Sequence, residues 1–254
     1  MEPPSIEATE KRSRFNWTWS KIAKESAKLA LVILAGIVLG SAASDPRVAS
    51  LFHHRRPIRF GEPAPPAEPV SLIGAQLEGD ERARLAVIEF SDFECPVCGT
   101  FAISILPEFR AKFVKTGLVL LAFRDLPLTR IHPSALAAAQ AAGCAGRQDR
   151  FWPMHDLLFA HRAQVADPQA PRKWAEQLGL NVTAFQHCLD QPENSAAILE
   201  GAADARKLGV INTPTFFIGW LLHDRTVRVV RRLSGAAPIT VFQLAFDQLP
   251  GKPN

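Results

Sequence analysis

Residues 85–98 read Leu-Ala-Val-Ile-Glu-Phe-Ser-Asp-Phe-Glu-Cys-Pro-Val-Cys. The first six are apolar and β-favouring except for Glu89, the length of a buried strand. The last four are a CxxC pair with proline between the sulfurs. From Pro96 onward, Phe101, Ile105, Phe109 and Phe113 recur at helical spacing to about Thr116, and Leu118–Phe123 is a second apolar strand pattern. Strand, helix and strand make a βαβ unit, which crosses over right-handedly to a parallel pair. The CxxC therefore falls at a strand–helix junction, with Cys95 at the helix start.

That placement suits redox chemistry. A thiol at a helix N-terminus meets unpaired backbone N–H groups and the positive end of the helix dipole, both of which favour thiolate. Two intervening residues bring Cys98 within one turn of Cys95, so Cys98 can resolve a mixed disulfide formed at Cys95. A CxxC is also half of a zinc site, but zinc needs two further ligands. Cys144 and Cys188 are isolated, and no second pair exists in the sequence. The redox reading is preferred, with no cofactor and no resident metal expected.

Two further features bear on the dithiol. Glu89 either lies buried beneath it, where desolvation raises its pKa and lets it accept a proton from Cys98, or points to solvent from an edge strand. Residues 212–216, Asn-Thr-Pro-Thr-Phe, set Pro214 at the mouth of a strand. A cis bond there would present the backbone of Thr213 beside the dithiol for pairing with an extended substrate, and the residues alone leave cis or trans open.

Around this centre the pattern predicts helices over 132–146, 150–162, 172–178, 182–189 and 193–208. Strands follow at 215–218 and 226–233, joined by a turn containing Gly219, and a helix closes the chain at 238–249. Trp220-Leu221-Leu222 after that turn reads as core or as a partner contact. His132, His155 and His161 lack metal-ligand spacing and read as core or surface residues.

The chain has 254 residues and a formal net charge of +4, with 47% apolar and 21% charged residues. That composition excludes a disordered chain, and four cysteines are too few for a disulfide-stapled scaffold. The charge is unevenly placed. Residues 1–28 form a basic tail, and residues 29–44 (LALVILAGIVLGSAAS) carry no charge. A positive flank before an apolar run reads as a transmembrane anchor or a cleaved signal sequence, exporting the body either way. Residues 45–68 are a basic, proline-rich linker. From Gly61 onward acids and bases nearly cancel, 20 against 19. A nucleic-acid partner is therefore not expected.

Four stretches together resemble DsbA-like thiol:disulfide oxidoreductases, in their Gram-positive-type and membrane-anchored branch: VIEFSDFECPVCGTF, FRDLPLTRIHPSA, CAGRQDRFWPMHDLLF and LGVINTPTFFIG. The resemblance covers nearly all of residues 69–250. It implies a thioredoxin-like α/β fold with a helical domain inserted at about 131–208, and a cis Pro214. It further implies Cys95 as the attacking thiol, and Glu89 at the buried-carboxylate position. It also implies substrates among exported proteins with cysteine thiols or disulfides, and a membrane redox partner that recycles the dithiol. The Pro-Val dipeptide differs from the Pro-His of strongly oxidising members, so the direction of exchange stays open among oxidase, reductase and isomerase. A thiol-based copper- or metal-handling protein on the same scaffold is the alternative, and a non-catalytic binding module using the groove beside Thr213 is another. Leftover cysteines in an oxidising compartment tend to pair, and similar members carry cysteines at comparable places. Cys144 and Cys188 thus read as a structural disulfide, as two separate buried thiols, or as a second redox relay that lacks CxxC spacing.

Overall fold

The computed structural model describes residues 64–251. The basic tail, the apolar segment 29–44 and the linker up to residue 63 lie outside the described residues, and with them the anchor-or-signal expectation. Among the described residues no helix is long and apolar enough to cross a membrane.

The sheet is built around β3 (Leu85–Ser91), every residue of which is buried. It pairs in parallel with β4 (Val119–Asp125) and antiparallel with β5 (Thr215–Leu221). Two short strands, β1 (Val70–Ser71) and β2 (Gln76–Glu78), and the longer β6 (Thr226–Ser234) complete the order β1-β6-β5-β3-β4-β2. Such a central strand reads as a continuous apolar run because both of its faces are covered. Ala86, Ile88 and Phe90 join one core with Phe217 and with Ala202 and Ala205. Leu85 and Val87 face the other way, into a core with Phe101, Phe109 and Phe242. By strand alternation Glu89 and Ser91 lie on that second face.

Over that face runs the helix that begins after Cys95. It starts as α1 (Pro96–Thr100), passes through a π-turn at Phe101–Ile105, continues as α2 (Leu106–Phe109) and ends in a second π-turn at Arg110–Val114. The first π-turn has a local cause. Pro107 has no N–H to give to the preceding turn, and Leu106 N–H bonds back five residues to Phe101 C=O.

Between β4 and β5 the chain makes five α-helices: α3 (Ala135–Gly146), α4 (Phe151–Ala160), α5 (Ala170–Gln177), α6 (Val182–Leu189) and α7 (Pro192–Lys207). Their core holds Leu158, Trp174 and Phe185 and extends to Phe93, Cys95 and Cys98, so the dithiol sits where the insert meets the sheet domain. The final helix, α8 (Ile239–Asp247), packs Phe242 against Phe109, 5.2 Å between ring centroids.

The Gly219 turn is a correction. Gly219 lies inside β5, at a bulge where Ile218 pairs with Arg231 and Gly219 with Val229. The chain turns later, at Leu222–Arg225, where Leu222 N–H bonds Thr226 C=O at 2.9 Å and Arg225 takes a φ of 58°. Gly219 is required by contact rather than by turning, since a Cβ there would lie 2.0 Å from the Arg228 carbonyl oxygen. Trp220 and Leu221 consequently belong to the strand and are buried.

Candidate functional site

Cys95 is the extended N-cap of α1, with φ −65° and ψ 122°. Its amide donates to Asp92 C=O at 3.1 Å and its carbonyl accepts from Gly99 N–H at 3.0 Å, which fixes the strand-to-helix corner. Pro96 is tolerated because the first helical position needs no donor. Both CPVC cysteines are buried free thiols. The peptide bond between Thr213 and Pro214 is cis. The Cys95 thiol reaches across to donate to Thr213 C=O at 3.5 Å. The Pro214 loop is held in place by Gly235 N–H on Pro214 C=O and by the Thr215 hydroxyl on Asn212 C=O, both 2.8 Å.

The two thiols are strongly unequal. Cys95 falls from 9.0 to about 5 because the Cys98 thiol donates to it. The Thr213 hydroxyl and the amides of Cys98 and Val97 add to that effect, against a cost from burial. Cys98 is pushed well above 9.0, first by burial and then by the proton it shares with Cys95. The electron-rich sulfur is therefore the one facing Thr213, and the one behind it keeps its proton.

Glu89 is fully buried two residues before Ser91, and neither carboxylate oxygen has a hydrogen-bond partner. Desolvation raises it from 4.5 to about 8, opposed by the Ser91 hydroxyl and by the positive charge of Arg110. Its register partners are Phe123 and Phe216, so the solvent-facing alternative is set aside. The structure thus gathers Glu89, Cys95, Cys98, Thr213 and Pro214 at one end of the sheet. Cys144 and Cys188 lie apart from them in the insert, joined as a disulfide with Cα atoms 5.8 Å apart.

Several neighbours escaped the sequence reading. Asp92, buried behind the corner, accepts from Glu94 N–H, Leu128 N–H and His132 Nδ1 at 2.8, 2.8 and 2.9 Å. Arg110 spans from Glu78 of β2 to Asp156 of α4, at 2.8 and 2.9 Å. Asp125, at the end of β4, is raised to about 7 by burial and by Asp92. Apart from the Asp92–Glu94 bond, these contacts join residues 32 to 46 positions apart and leave no local pattern. Ser91 alone carried a signal, its two-residue spacing from Glu89. His155 is buried among aromatic rings, including Phe93 and Phe159. Among the described residues no cluster of three or more His, Cys, Asp or Glu is placed to hold a metal.

An α/β sheet that carries a dithiol at a helix start, over a buried carboxylate and opposite a cis-proline loop, defines a thioredoxin-fold dithiol protein. Residues 73–228 match the family described as Thioredoxin, and the chain belongs to that family. Solved structures similar to it include DsbA-type thiol-disulfide proteins. Alpha-DsbA1 of Wolbachia pipientis is 24% identical with a TM-score of 0.62, covering 71% of this chain and 92% of that one. DsbA2 of Pseudomonas aeruginosa is 28% identical with a TM-score of 0.55, over 74% and 95% of the two chains. Among curated proteins, Na(+)/H(+) antiporter NhaA 1 of Salinispora arenicola is 36% identical over 161 residues, 63% of this chain. The chain spans about a quarter of the length of the curated relatives it matches, 24% in that case.

Proposed function

We propose that this chain is a thiol:disulfide oxidoreductase acting on cysteines of exported proteins, with Cys95 and Cys98 as the working pair and oxidation as its favoured direction. One observation carries the reading: the inequality of the two thiols, with Cys95 lowered to about 5 and facing Thr213. A stabilised Cys95 thiolate makes the reduced pair comfortable, which is what gives a dithiol oxidising power. The exchange reading draws on this site and not on the antiport activity in the curated relatives' names.

In the oxidising direction a substrate thiolate attacks Cys95 Sγ of the Cys95–Cys98 disulfide. A substrate–Cys95 bond forms, the Cys95–Cys98 bond breaks, and Cys98 leaves with the electron pair and takes a proton. A second substrate thiolate then attacks the substrate sulfur of the mixed disulfide, and Cys95 leaves as its stable thiolate. Substrate is oxidised by two electrons and the pair is reduced. Glu89, protonated below about pH 8, is suited to supply the proton to Cys98. The cis Pro214 loop leaves the Thr213 backbone beside the sulfur, where an extended substrate segment can pair with it.

The same reading assigns residues 29–44 to a membrane anchor or export signal and requires a membrane redox partner to reoxidise the pair. Equilibration of the dithiol with glutathione buffers tests the central claim. A potential nearer about −120 mV than about −270 mV supports an oxidase, and the reverse makes it a reductase. Oxidised protein that forms no disulfides in a reduced, unfolded cysteine-containing substrate, or does so equally after Cys95→Ala, refutes exchange altogether.

A further inference from the structure

Ser91 is buried with Glu89 on the face of β3 that lies under the helix carrying Cys98. Its backbone is immobilised, because Leu126 N–H donates to Ser91 C=O at 2.8 Å and Ser91 pairs with Asp125 of β4. The Ser91 hydroxyl and the Asp92 amide both act to lower Cys98, against the rise caused by burial. Glu89 lies two residues up the strand on the same face, and the same hydroxyl acts to lower it. Ser91 Oγ is sealed from solvent and has no direct hydrogen-bond partner in the dithiol form. A hydroxyl is both donor and acceptor, so it can receive a proton on one side while releasing one on the other.

We infer that Ser91 is a positioning residue that passes the proton between Glu89 and Cys98 during disulfide exchange. The inference deepens the exchange reading above and rests on it. As Cys98 leaves from the Cys95–Cys98 disulfide, Ser91 Oγ–H moves to the Cys98 sulfur and Glu89 returns a proton to Ser91 Oγ. Glu89 ends as carboxylate, Cys98 as thiol and Ser91 unchanged. The reducing direction runs the same transfers backward, with Cys98 thiolate attacking Cys95 Sγ and the substrate thiolate leaving. Arg110 attracts the Glu89 carboxylate and is itself held by Glu78 of β2 and Asp156 of α4. Burial lowers the pKa of His155 beside Asp156, while burial and Asp92 raise that of Asp125 at the end of β4.

The test mixes the oxidised full-length protein with excess reduced glutathione and follows the acid-quenched glutathione–Cys95 adduct by mass. Wild type, Ser91→Ala, Ser91→Thr, Glu89→Gln and the Ser91→Ala/Glu89→Gln pair are compared from pH 5 to 9. Ser91→Ala slows adduct formation at least about tenfold at pH 7, a modest share of what positioned proton transfer supplies. Ser91→Thr, which keeps the hydroxyl, restores most of the rate. The double variant is no slower than either single one, since both break one path. The Cys95 thiolate absorbance titrates at the same pH in wild type and Ser91→Ala, which separates proton transfer from a general disturbance of the site. A Ser91→Ala rate within about twofold of wild type, or a double variant slowed by the product of the single effects, overturns the inference while leaving exchange standing. A wild-type protein that forms no adduct refutes both.

Discussion

Glu89→Gln should change how stability depends on pH, by an amount that follows from the burial of one carboxyl. Glu89 is fully enclosed, both oxygens lack partners, and its pKa rises from 4.5 to about 8. A raised acid binds its proton more tightly folded than unfolded, so its stabilisation is complete below pH 4.5 and is lost as pH climbs through about 8. At about 1.36 kcal/mol per pH unit the whole span is about 5 kcal/mol, an upper figure for so deeply buried a group. Cys95 runs the other way: its pKa is lowered from 9.0 to about 5, so its contribution is present above 9.0 and lost as pH falls through about 5. The wild-type curve alone therefore mixes two opposing slopes. The difference between wild type and Glu89→Gln removes the Cys95 share, because both proteins carry it. Chemical denaturation of both reduced proteins at half-unit steps from pH 4.5 to 8.5 reads that difference, with the Cys144–Cys188 bond verified intact by thiol labelling. The variant should gain on wild type by about 1.4 kcal/mol per pH unit across the window and level off above pH 8. Parallel stability curves, differing by a constant at every pH, would refute a buried, proton-holding Glu89.

Three further outcomes follow from the same contacts. Thiolate absorbance of the reduced protein should rise with a midpoint near pH 5 and vanish in Cys95→Ser, while Cys98 stays protonated throughout; a midpoint above 8 removes the basis for an oxidising direction. Replacing both Cys144 and Cys188 by alanine opens a loop closed across 44 positions and should lower stability by about 4 kcal/mol in denaturant melts; no loss would mean the insert holds its shape without the bond. Gly219→Ala drives a methyl to 2.0 Å from the Arg228 carbonyl and must part β5 from β6. A loss of about 3 kcal/mol or more is expected, and a stable variant would place the bulge elsewhere.

Much of this was legible in the order of residues. The run 85–98 marked a buried strand, a corner and a helix start, because burial on both faces writes a continuous apolar segment and a helix N-terminus tolerates proline. The helices of the insert followed from apolar spacing and ended within a few residues of the expected positions. Gly219 was misread for a physical reason: glycine serves turns through its freedom and strands through its lack of a side chain, and only the neighbouring strand distinguishes the two. The edge strands β1 and β2 are two and three residues long, too short to show a period.

By itself the sequence determined the βαβ–insert–ββα plan and the pairing of two thiols one helical turn apart. It left open whether Glu89 was buried, whether Pro214 was cis and whether Cys144 met Cys188. Those depend on which segments pack together, and contacts between positions tens of residues apart leave no trace in local spacing. Only the tertiary structure put Thr213 against Cys95, sealed Glu89 under the sheet face and buried Ser91 on the same strand as that carboxyl. The difference between the two sulfurs, one near 5 and the other above 9, is a product of that enclosure, since desolvation and shared protons act through space rather than along the chain.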